Sequence, residues 1–427
     1  MTESGNTRKR EFEVVVWGAT GFTGRLVAGY LAKRYGVGKD LRWAIGGRSE
    51  SRLKEIRDSL GKAAAKLPMI VADSHDAKSL EQLVKRTAVV CSTVGPFAKY
   101  GSELVAACAK HGTDYCDITG EAHWIRAMLD ANEKAAKKSG ARIVNCCGFD
   151  SLPSDLGTFF VQQAMKEQHG VAASEVAMRV RRMKGKFSGG TAASMLAAFE
   201  AGASDKAVRR ALGHPYSLNP VGEQKGPPST DPRAPRYDED VKSWIAPFIM
   251  ANINTKIVRR SNVLLDYSYG RNFRYSEAMM TGPGVGGLTR ATMLTASLAG
   301  FMGLAAIPPT RALLNKFFLP QPGEGPNQKE REHGMFDILL VAHHPENDEI
   351  NLTARVTADR DPGYGATCQM LGESAVCLAR DSQPRGMPGG FWTPAAAMGQ
   401  QLIDRLCENA GMTFTLVPPV TPGRLTD

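Results

Sequence analysis

The chain has 427 residues, 43% hydrophobic and 22% charged, which excludes extensive disorder and is more than one core usually organises, so two connected domains are expected. A formal charge of +10 favours acidic partners such as phosphorylated cofactors, acidic carriers or anionic lipid surfaces. The Lys and Arg residues are scattered, with no zinc-finger spacing, RNP motif or basic tail, and this argues against nucleic acid.

Met1 to Glu11 is polar and leads directly into a strand, leaving no room for a signal peptide. Glu13 to Trp17 is β-rich, and Gly18-Ala19-Thr20-Gly21-Phe22-Thr23-Gly24 follows without a spacer. Leu26, Val27, Tyr30 and Leu31 then mark one face of a helix. Further strands are read at 41–45, 69–72, 88–94, 114–118 and 142–146, with helices over 51–60, 103–111 and 123–139 between them. This alternation predicts an α/β fold, with an N-terminal Rossmann domain on a doubly wound parallel sheet over residues 1–150.

From Glu175 the texture changes to longer alternating strands, at 175–183, 337–343 and 349–359. A second α+β domain on a mixed or antiparallel sheet is expected over 151–393, for substrate binding and dimerisation. Within it, 213–240 reads as a surface excursion. Ala291 to Ile307 is nearly free of polar side chains, a length at the lower edge of the roughly 17–25 residues that span a bilayer. It reads as a buried or interface helix, or as a lipid-surface attachment aided by Lys316, Phe317 and Phe318. Residues 394–427 form a closing helix and tail expected to pack back on the first domain. The eight cysteines contain no C-x-x-C pair and read as buried thiols of a reducing compartment, so a cytoplasmic protein with membrane or lipid association in reserve is expected.

The glycine-rich sequence has meaning because it sits between a strand and a helix. Gly18 permits the turn, Gly21 the approach of a pyrophosphate and Gly24 close helix packing, with Ala19, Thr20, Phe22 and Thr23 supplying the loop. An acidic residue ending the second strand would bond the ribose of NAD; here stands Arg48, suited to a 2′-phosphate or merely solvated, with Ser49, Arg52 and Lys54 nearby. NADP is therefore expected over NAD. Asp73 either touches adenine or caps a helix, and Thr93, Val94, Gly95 and Pro96 end the fourth strand beside the cofactor. Tyr100 is a candidate proton donor or an ordinary helix-start tyrosine. Glu121, Asp150 and Ser151 follow the fifth and sixth strands at the same sheet edge, where ligands collect, although Asp117 and Ser151 also suit helix caps. No metal-ligand cluster or Ser/His/Asp triad is recognisable.

The ordered set GATGFTG, GGR, VGPFAKYG, DITGE and GFDSLPSD, continued by FSGGTAASM and PGEGPNQKERE, resembles the saccharopine dehydrogenase-like oxidoreductases, and within them the trans-acting enoyl reductases. The resemblance implies an NAD(P) cofactor and reduction of a carbon–carbon double bond on a carrier-bound acyl chain, with an acyl carrier protein or polyketide synthase as partner. Such a reaction needs a donor to the thioester oxygen and a proton for the α-carbon. Tyr100, or backbone N–H groups near Gly120 or Gly148, suit the first, and Glu121 would relay a proton if burial raised its pKa. Arg179, Arg181, Arg182, Lys184 and Lys186 form a candidate carrier dock or a solvated edge strand. Alternative readings are a reductase of free carbonyls or imines and a non-catalytic NADP-binding scaffold at a lipid surface. A homodimer is expected on general grounds.

Overall fold

The computed structural model describes residues 10–38, 40–185, 189–317, 325–381 and 387–419. Lys186, Ser188, Phe318, residues 322–324 and the tail beyond 419 lie outside them, as do the side chains of Lys316 and Phe317.

Six strands come first: β1 (Phe12–Trp17), β2 (Trp43–Gly47), β3 (Met69–Val71), β4 (Thr87–Ser92), β5 (Asp114–Asp117) and β6 (Arg142–Val144). Six more follow: β7 (Glu175–Lys184), β8 (Arg236–Asp238), β9 (Ser243–Pro247), β10 (Arg274–Gly282), β11 (Met335–His343) and β12 (Leu352–Ala358). The chain then visits both regions again, with β13 (Gly390–Trp392) beside β6 and β14 (Met412–Val417) beside β12.

The first sheet runs β13-β6-β5-β4-β1-β2-β3 and every pairing in it is parallel. Val14, Val15 and Val16 of β1 are fully buried, as a strand covered on both faces requires, which explains its unbroken apolar run. Strand order reverses between β4 and β1, and the crevice at that switch point is where such sheets take ligands. The second sheet, β14-β12-β11-β7-β10-β9-β8, is mixed: β7 and β10 are parallel and the other pairs antiparallel. A Rossmann sheet joined to a mixed sheet is the fold class expected from the sequence.

Helix Leu152–His169 joins the two sheets by packing on β11 and β12. Gly157 makes this approach close, because a Cβ there would lie 2.9 Å from Leu340 Cδ1. Helix Thr367–Arg380 lies against β1, β4 and β5 and against helix Phe22–Tyr35, so a segment late in the chain covers the first sheet. At that contact Glu373 is fully buried and accepts from Tyr30 Oη at 2.6 Å, Tyr35 Oη at 2.6 Å, Arg405 Nη1 at 3.2 Å and Asn409 Nδ2 at 3.2 Å. Glu373→Leu removes the acceptor of the Tyr35 phenol and one partner each of Tyr30, which keeps Asn409 O, and of Arg405, which keeps Asp381, and a stability loss of about 3 kcal/mol is expected from denaturant unfolding. Glu373→Gln, which keeps the shape and part of the bonding, should lose much less.

The apolar segment is the outer part of helix Gly284–Ala306; it packs one side on helix Gly189–Ser204 and leaves the other exposed. Its first turns are clamped to the second sheet: Arg290 Nε donates to Thr281 O at 2.7 Å, and Thr281 Oγ1 donates to Gly287 O at 2.9 Å. From Thr292 to Leu314 only Ala305 is buried. No single helix among the described residues is long and apolar enough to cross a membrane.

Candidate active site

Gly18 leaves β1 at φ +86°, and a Cβ there would stand 2.5 Å from Val94 Cγ2 and 2.9 Å from Thr93 Oγ1. That closeness pins the first turn to the end of β4: Thr93 N and Oγ1 donate to Trp17 O at 3.0 and 3.1 Å. A Cβ on Gly24 would fall 2.1 Å from Gly18 O, so the helix rests directly on the loop that precedes it. Gly21 is the N-cap and its helix end has no side-chain cap. The first-turn N–H groups of such a helix are oriented to receive an anion. Ala19 and Thr20 lie in this turn and Thr23 in the first turn of the helix, and an uncapped helix end behind a glycine turn makes a cradle that fits a dinucleotide diphosphate.

At the end of β2, a Cβ on Gly47 would lie 3.7 Å from Thr20 Cγ2, so Arg48 emerges beside the cradle. It is exposed and, among the described residues, without an ion pair. Ser49 caps helix Glu50–Ser59 by accepting from Arg52 N, and Lys54 is exposed one turn further on. Asp73 does not cap the next helix; it accepts from His75 N at 2.9 Å in a tight turn, and Asp76 is the cap.

Glu121, 3% exposed, accepts from Phe97 N at 2.8 Å, Ala98 N at 2.9 Å and Ser194 Oγ at 2.8 Å. It therefore anchors the turn carrying Gly95 and Pro96, which are joined by a cis peptide bond. Tyr100 is half-buried, its ring 5.7 Å from that of His75 and 5.2 Å from Lys99 Nζ. His75 follows β3, so these contacts lie toward the far edge of the sheet from β6. Ser151 is buried and bonds Asn254 Oδ1 at 3.0 Å, leading into a chain through Asn254 Nδ2 to Glu277 Oε2 at 2.9 Å.

Asp150, just beyond β6, differs from all of these. It is half-buried and has no hydrogen-bond partner among the described residues, and its Oδ2 lies 3.7 Å from where a Cβ on Gly120 would be. Desolvation and then the neighbouring Asp117 carboxylate push its pKa up to about 7. Asp117 is itself buried, raised to about 7 by desolvation, and accepts from Asn145 Nδ2 at 2.9 Å, Thr119 N at 3.1 Å and Cys146 N at 3.2 Å. These bonds tie the β5 loop to the β6 loop and so set Gly120 opposite Asp150. The N–H groups of Gly120 and Gly148 are not taken by any other group among the described residues.

Burial also raises Asp155 and Glu277 to about 7. Unfolded carboxyls release their protons near pH 4, so between about pH 4 and 7 the folded chain holds more protons than the unfolded one. Stability from these four groups is therefore complete at acid pH and is lost as pH rises through 7. Denaturant unfolding should give a more stable protein at pH 5.5 than at pH 8, with a smaller difference in Asp155→Asn; equal stability at both would contradict the assignment.

Two contributions were out of reach of sequence reasoning. Phe22 is enclosed by Tyr364, ring to ring at 4.6 Å, by Arg331 Cζ at 5.6 Å from its centroid and by Gly325. Thr367 Oγ1 accepts from Phe149 N at 3.0 Å, steadying the turn before Asp150. Gly325 and Arg331 both belong to the segment PGEGPNQKERE.

The family profile described as Saccharopine dehydrogenase NADP binding domain matches residues 14–144. A Mycobacterium tuberculosis protein provisionally named a trans-acting enoyl reductase is 42% identical over 412 residues, 93% of this chain and 96% of that one. The trans-acting enoyl reductase of Mycobacterium ulcerans is 37% identical over 94% of this chain and 97% of that one. The chain belongs to the trans-acting enoyl reductase family, within the saccharopine dehydrogenase-like fold. It is an NADP-binding oxidoreductase. Apo saccharopine dehydrogenase (L-Glu forming) from Saccharomyces cerevisiae shares the fold, with a TM-score of 0.54 at 12% identity over 95% of this chain and 100% of that one. At that identity the likeness concerns fold alone.

Proposed function

We propose that this chain reduces the carbon–carbon double bond of an α,β-unsaturated acyl thioester held on a carrier protein. Bound NADPH supplies a hydride for the β-carbon. Asp150 gives the proton that the α-carbon needs, and the N–H groups of Gly120 and Gly148 stabilise the oxygen on which charge builds in between. The observation that carries this reading is Asp150: a carboxyl at the sheet's ligand edge, free of protein partners among the described residues and still partly protonated near neutrality. Glu121 is a positioning residue, since its oxygens are taken by the turn beside the cofactor. With its ring against His75, Tyr100 is given no part in the chemistry, and Tyr100→Phe should leave turnover within about twofold.

Carrier docking on Arg179 and Arg181 does not suit their surroundings. Arg179 is 2% exposed and paired with Asp238, and Arg181 is held by Asp337 at a bulge that breaks the strand's alternation. Arg182 and Lys184 remain exposed and are the residues assigned to an acidic carrier.

The test is NADPH consumption with a carrier-bound 2-enoyl thioester beside free aldehydes and imines. Oxidation with the thioester alone is expected, and turnover of only the free carbonyls or imines would overturn the reading. In calorimetric titration, Arg48→Ala should weaken NADPH by about 30-fold, the worth of a charge-assisted pair of about 2 kcal/mol, and leave NADH unchanged. Equal loss for both nucleotides would remove Arg48 from the 2′-phosphate.

A further inference from the structure

We propose that the bent helix pair Gly284–Ala306 and Pro308–Phe317 seats in the surface of an anionic lipid bilayer, lying in it rather than crossing it. The first observation is exposure. Met293 is 65% exposed, Ile307 54%, Leu313 52% and Leu304 45%, whereas the opposite stripe of Ala291, Thr295, Leu298, Phe301 and Ala305 is half-buried or buried. The protein covers one side of the helix, and the apolar side chains on the other side are left for an apolar medium to cover. Arg290 and Thr281 anchor the first turns to the second sheet, and the exposed apolar side lies beyond them.

The second observation is the bend. Ile307 precedes Pro308, is forced to an extended backbone, and turns the two helices 115° from one another. Neither arm alone is long and apolar enough to span; the two reach that length and composition only together, across a 115° turn that suits arms lying at a shallow depth.

Charge chooses the occupant. No acidic residue occurs between Glu277 and Glu324, whereas Arg290, Arg311 and Lys316 do. A second copy of the same face would bring like charges together; a bilayer with anionic headgroups neutralises them. Both helices pack against helix Gly189–Ser204, whose Ser194 bonds Glu121, so the surface lies near the site. Delivery of acyl chains from it rests on the enoyl reductase reading, but the binding does not.

The experiment is density-gradient flotation of the full chain, without substrate, on phosphatidylcholine vesicles with and without phosphatidylglycerol. The bound fraction should be at least about tenfold higher with the anionic lipid. The variant Met293→Glu with Met302→Glu should lose about tenfold of that binding while its circular dichroism and NADPH affinity stay unchanged, and Met293→Leu should bind as the natural chain does. Failure of the natural chain to float on either vesicle overturns the proposal, as does undiminished binding by the double variant. A dimer in sedimentation that the double variant dissolves, with no lipid binding, would overturn it in favour of an interface between two copies.

Discussion

Asp150→Asn should lower kcat by about 10²–10⁴-fold with little change in NADPH affinity, the range expected when a positioned proton donor is removed. The substitution keeps the side chain's size beside Gly120 and removes only its proton. The natural enzyme should lose kcat as pH rises through about 7, because desolvation and Asp117 hold the Asp150 proton up to that point. This alkaline limb should vanish from the residual activity of the variant. A kcat within about threefold of the natural value would remove Asp150 from the chemistry and leave the proton to a water-borne path.

Gly24→Ala should abolish binding of NADPH and NADH alike, a loss of more than about 100-fold for each. The added Cβ would fall 2.1 Å from Gly18 O and 2.8 Å from Ala19 Cα, backbone atoms that cannot step aside. The helix must therefore lift from the loop, which parts its N-terminus from the turn that shapes the diphosphate cradle. Gly29→Ala, in the same helix with its nearest neighbour at an ordinary 3.9 Å, is the control and should bind both nucleotides normally. Loss of both nucleotides in Gly24→Ala sets it apart from Arg48→Ala, where only the 2′-phosphate contact is at stake. Retained binding by Gly24→Ala would mean that the cradle is not built as described.

The first sheet was legible because its strands are buried on both faces and read as short apolar runs ending in Gly, Asp or Thr at the ligand edge. The glycine-rich turn and Arg48 were legible for the same reason, since a strand followed at once by glycines and a helix admits few geometries. What joins distant parts of the chain was not. Three residues, Gly390 to Trp392, carry no signal of which sheet they extend, and helix Thr367–Arg380 reads equally well on either. Glu121 showed its place at the edge but not the two backbone N–H groups it anchors, which belong to residues 23 and 24 positions earlier. Arg179 and Arg181 looked alike by alternation, and only the bulge opposite Asp337 and Ile338 separates their surroundings. The apolar stretch from Ala291 announced a helix by composition, but composition is silent on whether a neighbour covers it.

The most direct test of the central claim is isotope transfer from each of the two C4-deuterated forms of NADPH to a carrier-bound 2-enoyl thioester, read by mass spectrometry. One form should place a single deuterium on the β-carbon of the saturated product, and unlabelled NADPH in deuterated water should label the α-carbon. No deuterium in the acyl chain from either form, with label appearing instead in a reduced carbonyl or imine, would contradict reduction of the double bond.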